Sequence, residues 1–489
     1  MSSPRADPCV LVIFGASGDL ARRKLLPAVY NLAESGLLPE PFAIAGVARP
    51  AVAEDAYRTD IRAAVEREEG EALDPTLWER IGNRLHYISG ELNDAALYER
   101  VKTVLADIGR RHGIPPNYLF YLAIPPELFA TVGRHLAESG LADEREGWRR
   151  VVVEKPFGYD AASARMLNAA LTAGLRESQI YRIDHNLGKE TVQNILAFRF
   201  ANGIFEPIWN RRYVDHVQMD VTEADGIGNR GAYYDKAGAL RDIVQNHMFQ
   251  LLALVGMEPP VSFAAEAVRD EKVKVLRAVT RLTPASVKAD VVRAQYEGYR
   301  REPHVSPDSR TESYVALRLV LDNWRWAGVP FYLRTGKRLA DRRTEVSVHF
   351  KPAPFTLFRE TPVECTNPNV LRLLIQPEEG ISLSFDAKVP GPLERLDTVT
   401  MDFSYAAHFK RESSTGYETL LFDAMAGDQT LFHRMDIVEA GWEIVQPILE
   451  AWARDTTSPL PTYAPETWGP AEADALLARD RRRWHRSRS

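Results

Sequence analysis

Up to about residue 184, short unbroken apolar runs alternate with stretches in which apolar residues return every three or four positions. The runs are Leu11-Val12-Ile13-Phe14, Phe42-Ala43-Ile44-Ala45-Gly46-Val47, Leu85-His86-Tyr87-Ile88-Ser89, Tyr118-Leu119-Phe120-Tyr121-Leu122-Ala123-Ile124 and Arg150-Val151-Val152-Val153-Glu154. Runs apolar on both faces belong to buried parallel strands. Between them, Leu20, Leu25, Val29 and Leu32 keep a helical period that Gly36 stops, and 56–67 and 94–109 carry further helical patterns. After about residue 198 the runs give way to alternation, in 214–221, 314–321, 346–350, 371–375 and 381–385, with long helices between. Alternation marks a sheet covered on one face. The pattern predicts an α/β Rossmann-type dinucleotide-binding domain over 1–184, followed by an α+β domain with a large, mostly antiparallel sheet over 185–489.

The first run leads into Gly15-Ala16-Ser17-Gly18-Asp19-Leu20, a tight turn from strand to helix. Such a turn can lay bare backbone and the positive end of a helix against a pyrophosphate. Ser17 and Leu20 stand where the dinucleotide fingerprint has its second and third glycines, so a turn that binds nothing also fits. The second run ends in Ala48-Arg49, where an NAD site would carry Asp or Glu for the ribose hydroxyls. An arginine fork suits a phosphate instead, so Arg49, helped by the Ser17 hydroxyl, is expected to meet the 2′-phosphate of NADP. A solvent-facing arginine at a strand end is the plainer alternative. Tyr121, Pro125, Glu154 and Lys155 fall near the same carboxyl edge of the expected sheet, where ligands of open parallel sheets lie.

A chain of 489 residues exceeds one ordinary core, which agrees with two domains. The net charge of -6 argues against a general nucleic-acid binder, so phosphate sites must be local clusters of cations. The basic stretch from Arg479 to the end reads as a frayed polar tail. Cys9 and Cys365 lack metal-ligand spacing, which predicts no metal site, no disulfide and a reducing, cytoplasmic setting. No apolar stretch is long enough for a signal peptide or a membrane span.

Two segments carry candidate chemistry. Asp184-His185-Asn186-Leu187-Gly188-Lys189 precedes a helical pattern expected to start near Leu187. That would set His185 and Lys189 four apart at a helix amino end, a good place for a monophosphate. His247 lies within an apolar stripe of Leu240, Ile243, Val244, Leu251 and Leu254. A lone histidine there is more often a core residue than a base, and a carboxylate partner reverses those odds. Asp184 is the candidate partner.

These segments, with Glu154-Lys155-Pro156-Phe157-Gly158, Arg182 to Glu190, Gln245-Asn246-His247, Asn323 to Phe331, Arg334-Thr335-Gly336-Lys337 and Gly427 to Phe432, resemble the glucose-6-phosphate dehydrogenase family over essentially the whole chain. The resemblance implies oxidation of glucose 6-phosphate to 6-phosphogluconolactone by hydride transfer to NADP, the first step of the pentose phosphate pathway. NAD would be a poorer alternative. It implies His247 as base and Asp184 as its partner. Lys155, His185, Asn186, Lys189, Glu223, Asp242, Lys337, Arg342 and Gln376 would bind substrate. Gly15, Ala16, Ser17, Gly18, Asp19, Leu20, Arg49, Tyr121 and Lys155 would bind cofactor. The family also implies a homodimer or homotetramer joined through the second-domain sheet, with no nucleic-acid or membrane partner. Asn186 departs from the family's usual aromatic residue, which predicts weaker phosphate contact. An oxidoreductase of unphosphorylated sugars and a catalytically silent scaffold are the rival readings. His185 and Lys189 argue against the first, and the joint presence of Lys155, Asp184 and His247 argues against the second.

Overall fold

The computed structural model describes residues 6–354, 357, 363, 366–409 and 415–486. Six strands, β1 (Cys9–Phe14), β2 (Phe42–Ala48), β3 (Leu85–Ser89), β4 (Tyr118–Leu122), β5 (Arg149–Val153) and β6 (Ile180–Arg182), form one parallel sheet in the order β3-β2-β1-β4-β5-β6. The order reverses between β1 and β4, so the connections leaving their carboxyl ends diverge and leave a crevice. The sheet is built from runs apolar on both faces, and β1, β2 and β4 are buried along their full length. This sheet sits in one compact unit made of residues 1–190, 261–269 and 414–439. The helix Tyr417–Ala426 joins its core through Leu420, Leu421, Ala424 and Met425, which pack with Leu25, Leu32 and Tyr30.

The second unit comprises 191–260, 270–413 and 440–489. Its nine strands are β7 (Val214–Thr222), β8 (Val291–Tyr296), β9 (Tyr314–Val320), β10 (Pro330–Gly336), β11 (Arg343–Phe350), β12 (Val370–Gln376), β13 (Gly380–Lys388), β14 (Leu396–Ser404) and β15 (Thr462–Tyr463). They run in the order β14-β13-β12-β11-β7-β10-β9-β8-β15, antiparallel except for β7 with β10 and β8 with β15. The parallel pair has a functional consequence: Gly336 lies opposite Thr222, so both strands end at one edge. Antiparallel β11 begins at that edge, with Arg343 opposite Thr222, and β12 ends there, with Gln376 opposite Thr344.

Three expectations need correction. The segment after Asp184 is not the first turn of an α-helix. His185–Gly188 is a 3₁₀ turn, Lys189 is extended, and the α-helix starts at Glu190. His185 and Lys189 are therefore not stacked one turn apart. The helix bearing His247 is broken at Gly238 and continues as a π-helix over Leu240–Met248 before turning α-helical at Phe249–Gly256. Nor is the basic terminus frayed as far as Arg486. Trp484 is buried against Tyr332, Arg482 pairs with Asp215 at 2.8 Å, Arg479 with Asp290 at 2.7 Å and Arg486 with Asp474 at 3.0 Å. Asp215 and Asp290, distant in sequence, and the nearer Asp474 neutralise the tail, and a buried indole anchors it, worth roughly 1.5–3 kcal/mol. Cys9 is buried and unpaired, while Cys365 lies outside the described residues. No helix among the described residues is long and apolar enough to cross a membrane, and none of them form a cluster of three or more His, Cys, Asp or Glu able to hold a metal.

Candidate active site

In the first unit, a crevice of about 780 Å³ opens beyond the carboxyl ends of β1 to β4. It is lined by Gly15, Ser17, Gly18, Arg49, Asn93 and Pro125, among others. Gly15 has φ 89°, and a Cβ there would lie 2.1 Å from the Ala123 carbonyl oxygen. Only glycine lets the β1 turn come this close to the chain leaving β4. The Gly15 N–H donates to Val47 O at 2.8 Å, and the Gly18 N–H closes the turn onto Gly15 O at 2.9 Å. Ala16 is fully buried beneath the turn, Ser17 and Leu20 are half-buried, and Asp19 is exposed. Arg49 is exposed, and its guanidinium has no hydrogen-bond or ion-pair partner among the described residues. Asn93 and Glu91, on the loop after β3, also line the crevice. Sequence reasoning missed both, because nothing local marks a loop as facing a ligand.

Further along the same sheet edge, Glu154 directly follows β5 and accepts from the Tyr121 hydroxyl at 2.5 Å. Burial, and after it the nearby Glu154 carboxylate, push the Tyr417 hydroxyl well above its usual range. Burial pushes the Glu154 carboxyl up to about 7, Tyr121 and the Lys155 ammonium hold it down, and Asp184 adds a further upward push. Tyr121 is itself wholly buried, so its hydroxyl is engaged by Glu154 inside the protein. Lys155, the next residue, is half-buried. Asp184 ends the link from β6, and its Oδ1 caps the 3₁₀ turn by accepting from the Asn186 N–H at 2.9 Å. His185 lies parallel to the Tyr417 ring at 6.0 Å between centroids. A Cβ on Gly188 would lie 2.0 Å from Gly416 O, which is why a glycine must follow Leu187 there. Arg182, by contrast, is structural. It is fully buried and chelated by Glu177 and Asn168.

In the second unit, the edge shared by β7, β10, β11 and β12 collects Glu223, Lys337, Arg342 and Gln376. The Glu223 N–H donates to Gly336 O at 3.0 Å, and the Lys337 ammonium pairs with the Glu223 carboxylate. Lys337 is almost fully buried, with its ammonium 5.5 Å from the Tyr234 ring centroid. Gln376 is half-buried at the end of β12, while Arg342 is exposed just before β11. The π-helix that packs against β7 and β10 carries Asp242 and His247, 3% and 5% exposed. Asp242 accepts from Tyr233 Oη at 3.1 Å and lies 3.9 Å from the Arg230 guanidinium. The edge and the π-helix packed against β7 and β10 therefore offer two carboxylates and an ammonium held by partners before any ligand arrives, and the same helix carries a buried imidazole.

The sequence model of the glucose-6-phosphate dehydrogenase NAD binding domain matches residues 12–194, and that of the family's C-terminal domain matches 196–485. The glucose-6-phosphate 1-dehydrogenase of Chlamydia pneumoniae is 45% identical over 501 residues, covering 99% of this chain and 97% of the relative. That of Aggregatibacter actinomycetemcomitans is 45% identical over 492 residues, with 99% and 98% covered. A solved glucose-6-phosphate dehydrogenase in complex with its substrate glucose-6-phosphate superposes with a TM-score of 0.91 at 32% identity, over 99% of this chain and 100% of that one. The crystal structure of glucose-6-phosphate 1-dehydrogenase from Mycobacterium avium gives 0.83 at 39% identity, over 98% and 99%. The chain belongs to the glucose-6-phosphate dehydrogenase family.

Proposed function

We propose that the protein oxidises glucose 6-phosphate to 6-phosphogluconolactone with NADP, entering the pentose phosphate pathway. The full-length relationship to glucose-6-phosphate 1-dehydrogenases carries this reading. The crevice suits a dinucleotide: its floor is glycine where a Cβ would collide with Ala123 O, and its rim holds a guanidinium without a protein partner among the described residues. Gly15 to Leu20 would hold the pyrophosphate, and Arg49 with Ser17 the 2′-phosphate, favouring NADP over NAD. When bound, the nicotinamide supplies the hydride acceptor. His247 takes the proton of the C1 hydroxyl as the C1–H bond breaks, and Asp184 stabilises the resulting imidazolium. Glu223 and Asp242 accept from sugar hydroxyls. Lys155 and Gln376 orient the ring, with Lys337 and Arg342 beside it. His185, Lys189 and Asn186 hold the phosphate. A homodimer or homotetramer in the cytoplasm completes the reading.

The test is the rise in ultraviolet absorbance of reduced nicotinamide when purified protein meets glucose 6-phosphate and NADP. Turnover with glucose 6-phosphate far above that with glucose is expected. Activity on glucose alone would overturn the substrate, and no activity on either would favour a scaffold.

A further inference from the structure

Asp242 and His247 are five residues apart. An α-helix turns about 100° per residue, so five residues leave two side chains roughly 140° apart round the axis. In an α-helix the proposed hydroxyl acceptor and the proposed base would face different surroundings. Leu240–Met248 is π-helical instead, and the Phe249 N–H that follows it donates to Val244 O, five residues back, as well as to Asn246 O. A ladder that closes at the fifth residue brings residue i+5 back to the same side of the helix as residue i. Asp242 and His247 therefore share one face of a helix that packs against β7 and β10.

Runs of π-helix are rare, and something has to hold this one. Two features meet at its start. Gly238 has φ 67° and ψ 174°, which breaks the preceding helix. Glu312 then receives the new one: its backbone oxygen accepts from Ala239 N–H at 3.0 Å, and its Oε1 accepts from Leu240 N–H at 3.0 Å. A Cβ at position 238 would lie 2.3 Å from that same Oε1, so the carboxylate occupies the space the glycine leaves. Glu312 is 3% exposed. Burial pushes its carboxyl up, while its own N–H, that of Leu240 and the Arg241 and Arg293 guanidiniums hold it down. A buried carboxylate is costly unless it is paired and hydrogen-bonded, and the Leu240 N–H supplies one of those bonds.

We propose that Glu312 is a positioning residue for sugar oxidation: with Gly238 it fixes where the π-helix begins, and the π register sets Asp242 and His247 on one face. The inference rests on the roles proposed above for Asp242 and His247. Its test compares E312Q and E312M, with H247N as control. Each is measured for kcat, for KM with glucose 6-phosphate, and for NADP affinity by calorimetry. Glutamine keeps an oxygen for the Leu240 N–H, whereas methionine keeps the bulk without it. E312M should lose kcat by roughly 10- to 100-fold, the scale of a small misplacement of reacting groups, with NADP affinity unchanged. E312Q should stay within about threefold of the parent, since its oxygen preserves the bond. E312D, which withdraws the acceptor by one methylene, carries the same expectation as E312M should the latter not fold. Parental kcat in a folded E312M or E312D overturns the inference. So does an E312Q as impaired as E312M, because the buried charge and not the cap would then be what matters. Near-parental turnover of H247N would overturn the catalytic reading itself, whereas an inactive H247N beside a fully active E312M overturns the positioning role alone.

Discussion

At the ends of β1, β2 and β4 the chain offers bare backbone, a glycine at φ 89° and an exposed arginine with no partner among the described residues. At the edge of β7, β10 and β12, and on the π-helix packed against β7 and β10, it offers polar groups already partnered, Glu223 with Lys337 and Asp242 with Tyr233 and Arg230. The crevice leaves charge for a ligand to complete. Substitutions there should be read in affinity, and salt should weaken them because Arg49 is exposed. The edge proposed to take the sugar holds groups whose desolvation is met by fixed partners, which is how groups are preorganised for charge that develops in a transition state. Substitutions there should be read in turnover.

The sharpest way to break this contrast is His247→Asn. Loss of a general base should lower kcat by about 10²- to 10⁴-fold, with NADP affinity unchanged because the crevice lies in the other unit. Steady-state kinetics with calorimetric NADP binding measure both. Asp184→Asn should give a smaller loss, and the double variant should be scarcely worse than His247→Asn alone, since a partner has no role once the imidazole is gone. Full additivity would separate Asp184 from the base.

On the crevice side, Arg49→Ala should weaken NADP by roughly 1.5–3 kcal/mol, the worth of a charge-assisted contact, and leave NAD nearly unchanged. Equal losses for the two nucleotides would mean that Arg49 meets a part common to both. In that case the crevice would not select by its free charge.

Glu154 stands between the two regimes, a half-buried acid at the sheet edge of the nucleotide unit. Its carboxyl is raised from 4.5 to about 7, and that of Asp423 from 3.8 to about 7, chiefly by burial. Groups raised in the folded state bind protons that the unfolded chain has already released. Their stabilising contribution is therefore present below the unfolded values and is lost as pH rises through about 7. Stability should decline over that window by up to a few kcal/mol, because each tenfold difference in proton affinity between the two states is worth about 1.4 kcal/mol. Glu154→Gln should flatten the decline in urea unfolding midpoints measured across the window. An unchanged slope would place the titration elsewhere.

The difference between the regions also decides what the sequence could disclose. β1 to β5 are legible because both faces are buried, and the Gly15 turn and Arg49 lie within fifty residues of one another. β6 has only three residues, too few for a period. β10 is buried throughout yet contains Arg334, which reads as exposed until Asp220 of β7 is seen to hold it at 2.8 Å. Glu223 and Lys337 are 114 positions apart and meet only because β7 and β10 run parallel, which no spacing announces. The π-helix escaped for a related reason. A stripe at a 3.6-residue period was found because Leu240, Ile243 and Val244 satisfy it, but the five-residue ladder depends on Glu312, far along the chain.

The smallest expected effect lies at the turn proposed to hold the phosphate, which borrows from both regimes. Asn186 is half-buried on the 3₁₀ turn capped by Asp184, and its side-chain amide has no hydrogen-bond partner among the described residues. On the proposed reading His185 and Lys189 supply the charge, which would make Asn186 a secondary donor with short reach. Asn186→Tyr should lower KM for glucose 6-phosphate by about two- to tenfold, the worth of one neutral hydrogen bond. Turnover should hardly move, because the phosphate is remote from C1 and is bound equally in ground and transition states. Activity on free glucose should also be unchanged, since that substrate brings no phosphate to the turn. A raised KM would mean that the turn, its backbone pressed against Gly416, has been fitted to asparagine, and that the preferred sugar phosphate has a different shape.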